Sequence, residues 1–444
     1  MTKIKFFTAA ALVALFTSCG ENDVPTPDDN DGKIYTSEIR TLDDAYDIAK
    51  EAVAWLDYGD SRGEIRYLPS KDDIKVLKSA ASRGEENDTL MYVVNYENEK
   101  GFAIIPANRN MPKLLAVTES GSYIPNEKTD VEPFNDYMDF IIQSIGDGGI
   151  TDPGKDDNKP VPMEEWKEVE HESVKSQYGL KKSTIWGNDG IEGKYFENNS
   201  CGFGPLAASL CLAYFQYPSS MTLTHNGNAK LTIDWNTILQ HDASKNVYSG
   251  SKFVRCDDGL NAAYQDVISR MCKEVAVRAN ATIKNGKTTV SITNLANALK
   301  SLGFSATDNA KLEERIISSP IVYVPYAQNG NGEWNMWIID GYKYSEITYD
   351  KYKRINDPNM GITRPWEYIS TRKENHEYVH HNWGWNGKYN GWFSVGYWLA
   401  NKGNKYDTEN TGIAAENVYN YMTNRHILSV KRAAPEPEFP GVEL

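Results

Sequence analysis

Cys201 stands in Asn199-Ser200-Cys201-Gly202-Phe203-Gly204-Pro205, directly ahead of an apolar run that ends at Gln216. Proline suits the first turn of a helix, so the spacing predicts a helix over Pro205–Gln216 with Cys201 just outside its start. There the positive end of the helix dipole favours a thiolate, the reactive form of a cysteine nucleophile. A thiolate that attacks an acyl group also needs an imidazole to take up and return a proton. His380 and His381 lie on a stretch that reads as a strand. Alternation puts His380 on the face of Asn382, about 6.6 Å along the chain, and His381 on the other face. Cys201 and His380 are therefore one candidate pair for nucleophilic chemistry. Cys211 and Cys272 fall on apolar helical patterns and Cys256 in a polar loop, and these three read as inert thiols. His171, His225, His241, His376 and His426 show no metal-ligand spacing, so neither a metal nor a cofactor is expected.

These residues need a frame. Thr41-Leu42-Asp43-Asp44 reads as a helix start, followed by Ala45, Ile48, Ala49, Ala52 and Leu56 at helical spacing. Leu90–Tyr96 and Gly101–Ile105 read as two strands around Glu97–Lys100, with a third at Leu114–Val117 and a helix over Pro133–Ile145. Gly146-Asp147-Gly148-Gly149 and the Gly/Pro/Asp-rich stretch after it mark a domain boundary. Beyond it come helices at Pro205–Gln216, Gly259–Val277 and Ser291–Leu302. Strands follow at Ile321–Val324, Met336–Ile339, His376–His381 and Gly391–Val395. Helices first and an antiparallel sheet later describe an α+β fold, here a small α+β domain (36–147), a linker (148–165), a larger α+β domain (166–432) and a tail (433–444). The 444 residues carry 40% hydrophobic and 24% charged side chains, enough apolar content to bury a core,. The net charge of −14 repels phosphate backbones and argues against a nucleic-acid partner,.

Three stretches of the larger domain resemble the streptopain family of papain-like cysteine peptidases. Leu206-Ala207-Ala208-Ser209-Leu210-Cys211-Leu212-Ala213-Tyr214-Phe215-Gln216-Tyr217-Pro218 resembles the family's nucleophile helix. Trp337-Ile338-Ile339-Asp340-Gly341 resembles the segment after the catalytic histidine. Val379-His380-His381-Asn382-Trp383-Gly384-Trp385-Asn386-Gly387, followed by Asn390-Gly391-Trp392-Phe393, resembles the His-x-Asn-Trp-Gly-Trp-Gly-Gly motif. The smaller domain, through Tyr92-Val93-Val94-Asn95 and Gly101-Phe102-Ala103-Ile104-Ile105, is similar to the family's inhibitor-like propeptide, which implies a prodomain packed on the peptidase domain. Counted back without gaps from Tyr217-Pro218, the family's nucleophile position is Phe203. Counted back from Asp340, its histidine position is Asn335. The resemblance further implies that Asn188, in Trp186-Gly187-Asn188, stands where an oxyanion donor is found, and that Asn382 and Trp383 match the pair that orients and shields the histidine. It also implies structural roles for His380 and for Asp340, which reads as a residue that caps or turns the chain.

Near the amino terminus, Lys3 and Lys5 precede an apolar run from Phe6 to Phe16 and then Thr17-Ser18-Cys19, which resembles a lipoprotein signal over 1–18 with lipidation at Cys19. The following 19–35, acidic and without apolar periodicity, reads as a flexible tether. Together these readings predict a lipid-anchored protein of the bacterial cell envelope that meets the membrane through its lipid alone. With Phe203 and Asn335 in place of the dyad, the expected function is binding of a peptide or protein without turnover. The alternatives are an active endopeptidase using Cys201 with a displaced His380, or, from the wealth of aromatic residues, a glycan-binding surface lipoprotein.

Overall fold

The structure is a computed structural model that describes residues 33–35, 39–53, 56, 69–78, 89–109, 111–146, 164–179, 184–188, 190–239, 247–249, 252–254, 262–284, 286–308, 310, 321–328, 334–357, 362–395 and 426–433. Cys19 and its leader, the tether to residue 32, the linker to residue 163, Cys256, His241 and the tail from residue 434 lie outside them.

The first helix among the described residues is α1, Leu42–Val53. Its start is a reciprocal cap: the Thr41 amide donates to the Asp44 carboxylate at 2.7 Å and the Asp44 amide to Thr41 Oγ1 at 3.2 Å,. Strands Thr89–Tyr96 and Phe102–Pro106 follow, and both are buried on both faces. Alternation divides their side chains. Tyr92, Val94, Ala103 and Ile105 pack under α1 with Ala45, Ile48, Ala49 and Ala52. Met91, Val93, Phe102 and Ile104 turn the other way, toward Phe134, Tyr137 and Ile141 of α2, Glu132–Gly146,.

In the larger domain, α3 (Phe203–Phe215) is buried from Gly204 to Tyr214, a position that its near-continuous apolar sequence requires,. It lies in one core with α4 (Trp235–Ile238), α5 (Ala262–Arg278) and α6 (Ile292–Ser301), the last capped by the Ser291 hydroxyl accepting from the Asn294 amide. Among the described residues, ten strands follow one another in a single sheet: 304–307, 426–432, 322–328, 338–357, 367–382, 391–394, 116–118, 102–106, 89–96 and 69–78. Among the described residues no helix is long and apolar enough to cross a membrane.

That sheet crosses the boundary drawn at 148–165. Strand Ala116–Thr118 of the smaller domain pairs antiparallel with Gly391–Ser394 of the larger one, in the register Gly391↔Thr118, Trp392↔Val117 and Phe393↔Ala116. The two cores merge with it. Trp392 packs with the α1 cluster, whereas Phe393, Trp383 and Trp337 pack with the α2 cluster. Gly391 allows the approach, since a Cβ there would sit 2.2 Å from the Val117 carbonyl oxygen,.

Residues 37–159, 172–347 and 373–444 accordingly form one compact unit, and a second, smaller unit gathers Met1–Thr36, Pro160–His171 and Thr348–Arg372. In the smaller unit, Lys33–Tyr35 pairs with Glu168–Glu170, and Arg354 and Asn356 bind the two oxygens of Glu165. The last three tether residues are thus a strand, and the linker's last two, Glu164 and Glu165, begin another. Strands Ile338–Asp357 and Glu367–Asn382 are far longer than their apolar segments announce. Their outer halves, Tyr352-Lys353-Arg354 and Ser370-Thr371-Arg372, carry polar and charged side chains without a one-sided apolar alternation,.

An engineered protease site between residues 150 and 160 tests the shared sheet. After cleavage the two fragments are expected to co-elute from a sizing column in native buffer and to part only in denaturant. Gly391→Val, which drives a side chain into the Val117 carbonyl, is expected to lower the melting temperature of the whole unit in one transition.

Candidate functional site

The start of α3 is the place to look for chemistry, because the amides of a helix's first turn have no partner within the helix and its dipole end is positive there. Phe203 occupies it. Its ring stacks on Trp385 with centroids 4.1 Å apart and planes 24° from parallel, so the helix entrance is covered by an aromatic pair,. Gly202 before it has φ +79°, and a Cβ there would lie 2.3 Å from the Thr288 carbonyl oxygen, a position open to glycine alone,. Met336 Sδ lies 3.3 Å from where a Cβ on Gly204 would be, so the strand after Asn335 also presses on the first turn. Asn335 itself is buried at 4% exposure, opposite Ala327 in the ladder of Trp334–Met336.

Cys201 is fully buried in the α3 core. Its amide donates to the Asn188 carbonyl at 2.7 Å and its thiol lies 3.7 Å from the Gly202 carbonyl. Burial, then contact with the Cys272 thiol and the nearby Glu192 charge, pushes the thiol well above the ordinary cysteine range. That opposes the thiolate that its place before the helix was expected to favour. Asn188 is half-buried and serves the site through its backbone carbonyl.

His380 is also fully buried, on strand Glu367–Asn382, but both of its nitrogens are taken by carboxylates. Nδ1 lies 2.6 Å from Asp340 Oδ1, and Nε2 lies 3.0 Å from Glu119 Oε1. Burial alone would disfavour the charged ring; Asp340 and Glu119 outweigh it and raise its pKa to about 10,. Trp392 meets the ring edge-on at 5.2 Å, and Lys343 Nζ stands 4.4 Å from the centroid of the same indole. Asp340 is thus neither cap nor turn. It is a buried carboxylate within Ile338–Asp357 whose partner is an imidazolium. His380 and Cys201 face different neighbours, and the structure does not bring that pair together.

The remaining motif residues build packing. Asn382 Oδ1 accepts from the Gly384 amide at 3.2 Å, and its Nδ2 donates to the Thr184 carbonyl. Trp383 donates through Nε1 to the Tyr389 carbonyl at 2.9 Å and stacks on His381 at 4.5 Å. His381 Nδ1 accepts from Trp337 Nε1 at 2.9 Å. The predicted alternation therefore holds: His380 belongs to one face of the strand and His381 to the other. Among the described residues, no group of three or more His, Cys, Asp or Glu side chains is arranged to hold a metal ion.

Sequence reasoning missed Glu119, which follows a short strand 261 positions before its partner and carries no local signal. It also missed Trp385 as the cover of Phe203, although its place two residues after Trp383 in the aromatic motif was the available signal.

Residues 181–393 match the Peptidase C10 family, and residues 49–144 match Spi protease inhibitor. A solved structure of a mutant prointerpain A fragment from Prevotella intermedia is similar over 82% of this chain and 100% of its own length, with 15% identity and a TM-score of 0.43. No curated protein sequence matches the chain.

The imidazolium sets a pH dependence. A folded-state pKa of about 10 lies above the ordinary 6.5, so the stabilisation is fully present below about pH 6.5 and is lost as pH rises toward 10,. Thermal melts from pH 6 to 10.5 are expected to show that decline, and His380→Gln is expected to be less stable at pH 6 and to lack this part of it.

Proposed function

Because the chain belongs to the Peptidase C10 family, with the Spi-inhibitor segment ahead of its peptidase domain, we propose that it is a peptidase homologue without turnover, lipid-anchored in the cell envelope, that binds a peptide or protein. The observation that carries this reading is the stack of Phe203 on Trp385 at the start of α3, where the family's thiol would stand. The rest of the machinery agrees. Asn335 offers no imidazole. His380, the imidazole the sequence offered in its place, is held as a cation by two carboxylates, and the Cys201 thiol is buried with a raised pKa. An amide can be hydrolysed at neutral pH only when a nucleophile and a proton donor act together, and general acid–base help alone is typically worth about 10²–10⁴-fold.

Hydrolysis of casein and of peptide libraries is expected to stay at the level of buffer, and Cys201→Ala and His380→Ala are expected to leave it there. Robust turnover abolished by both substitutions would establish the displaced-dyad endopeptidase instead.

The anchor reading rests on Thr17-Ser18-Cys19 behind a short apolar run,. Cys19→Ala is expected to move the protein from the membrane to the soluble fraction. Unchanged membrane retention of that variant would remove the lipid from the proposal.

A further inference from the structure

The polar strands of the smaller unit set cations against aromatic rings. Arg354 Cζ lies 4.5 Å from the Trp366 ring centroid, and Lys167 Nζ lies 4.8 Å from the same ring and 5.8 Å from that of Tyr352. Lys351 Nζ stands 4.8 Å from the Trp166 centroid and Arg372 Cζ 4.2 Å from that of Tyr349. Tyr352 meets Tyr368 at 5.8 Å, so Tyr352, Arg354, Trp366 and Tyr368 share one face of the pair formed by strands Ile338–Asp357 and Glu367–Asn382. Alternation puts Ile355 and Ile369 on the other face. Ile355, Tyr368 and Ile369 are 45%, 41% and 44% exposed, so both faces show large apolar side chains to solvent. The Arg364 amide donates to the Ile355 carbonyl at 2.9 Å and belongs to the same end of the pair. The charge there departs from that of the chain. Residues 351–357 and 362–369 carry Lys351, Lys353, Arg354 and Arg364 against Asp357 and Glu367, in a protein of net charge −14. Tyrosine and tryptophan rings, long cationic stems and a few exposed isoleucines are the side chains that settle at the boundary between lipid and water, where the charged tips meet phosphate.

The course of the chain favours the same surface. Lys33–Tyr35, whose first residue stands fourteen positions after Cys19, pairs with Glu168–Glu170 and so belongs to this unit. Fourteen residues span at most about 50 Å even when fully extended. A lipid on Cys19 thus delivers the smaller unit to the membrane ahead of every other described element. Contact with the bilayer then becomes an intramolecular step, which needs little affinity of its own. We propose that Ile355, Arg364, Tyr368 and Ile369, at one end of this strand pair, touch the anionic headgroups of the membrane that holds Cys19. This inference rests on the anchor reading above and gives the anchored protein a fixed side toward the lipid. The contact is too weak to hold the protein by itself, so Cys19→Ala still releases it.

The test holds the chain from residue 20 onward, with a hexahistidine in place of Cys19, on vesicles of phosphatidylethanolamine and phosphatidylglycerol. The vesicles also contain a nickel-chelating lipid and a lipid with a nitroxide on its headgroup. Ile369→Cys and Ile124→Cys, each combined with Cys256→Ser, carry a thiol-linked fluorophore; Ile124 is equally exposed at 45%, and Cys201, Cys211 and Cys272 are buried. The label at Ile369 is expected to be quenched at least twofold more than the label at Ile124. That advantage is expected to fall by more than half when phosphatidylcholine replaces phosphatidylglycerol, and likewise in Ile355→Ser with Arg364→Glu, whose melting temperature stays that of the parent. Equal quenching at the two positions, or an advantage indifferent to phosphatidylglycerol, would overturn the proposal. A dimer seen by sedimentation without vesicles and dissolved by Ile355→Ser would assign these side chains to a second copy and overturn it as well. The nickel lipid stands in for the acyl chains, so quenching judges the contact alone. The anchor is judged separately by membrane retention of Cys19→Ala, and turnover by hydrolysis.

Discussion

A charged imidazole sealed from water must be met by opposite charge on both nitrogens, and this requirement organises the protein around His380. Asp340 supplies one carboxylate from the neighbouring central strand. Glu119 supplies the other from the Spi-inhibitor segment, which lies far earlier in the chain. Removing either partner from a buried charge cluster typically costs about 3–5 kcal/mol, because the remaining charge keeps its desolvation penalty and loses its counterion. Pairing of Ala116–Thr118 with Gly391–Ser394 brings Glu119 to the site, and the Glu119 amide donates to the Asn390 carbonyl at 2.7 Å. Around that contact, Ser120 Oγ donates to the Gly387 carbonyl at 2.9 Å and Lys388 pairs with Asp130. The inhibitor-like segment is therefore built into the peptidase domain's sheet and core.

The same packing covers the entrance of α3. A nucleophile at the start of α3 would need room above the first turn for substrate, together with a polarising partner. Here that volume is taken by Phe203 and Trp385, with Met336 pressing from the strand below. Aromatic pairs of this kind contribute about 0.5–1.5 kcal/mol beyond the area they bury. The residues suit a closed, apolar joint.

Much of the frame was legible. The Thr41–Asp44 cap, the alternation in Tyr92–Val94 and Ala103–Ile105, and the apolar run of α3 each specify their element from neighbours in sequence. The α+β architecture follows from the order of such elements. The outer halves of the two long central strands were not legible, because a strand without a one-sided apolar face shows no period of two. The site was legible only in part. Phe203 and Asn335 could be placed by counting from local landmarks, whereas the Asp340–His380–Glu119 cluster depends on which strands meet. The burial of Cys201 depends on how its loop lies along α5, which the loop's own residues do not announce.

The two carboxylates also decide what His380 is able to do. A general base must be neutral at the working pH, and an acid–base catalyst serves best when its pKa lies near that pH. With a pKa of about 10, roughly one His380 ring in a thousand is neutral at pH 7,. Withdrawing Glu119 would lower that value, but Asp340 would still hold Nδ1, and the freed Nε2 would face the strand Gly391–Ser394 and the Trp392 edge. The Cys201 thiol, fully buried in the α3 core, would gain nothing from the change. The geometry that makes His380 a stable joint between the two segments is thus the same geometry that holds its ring as a cation at neutral pH.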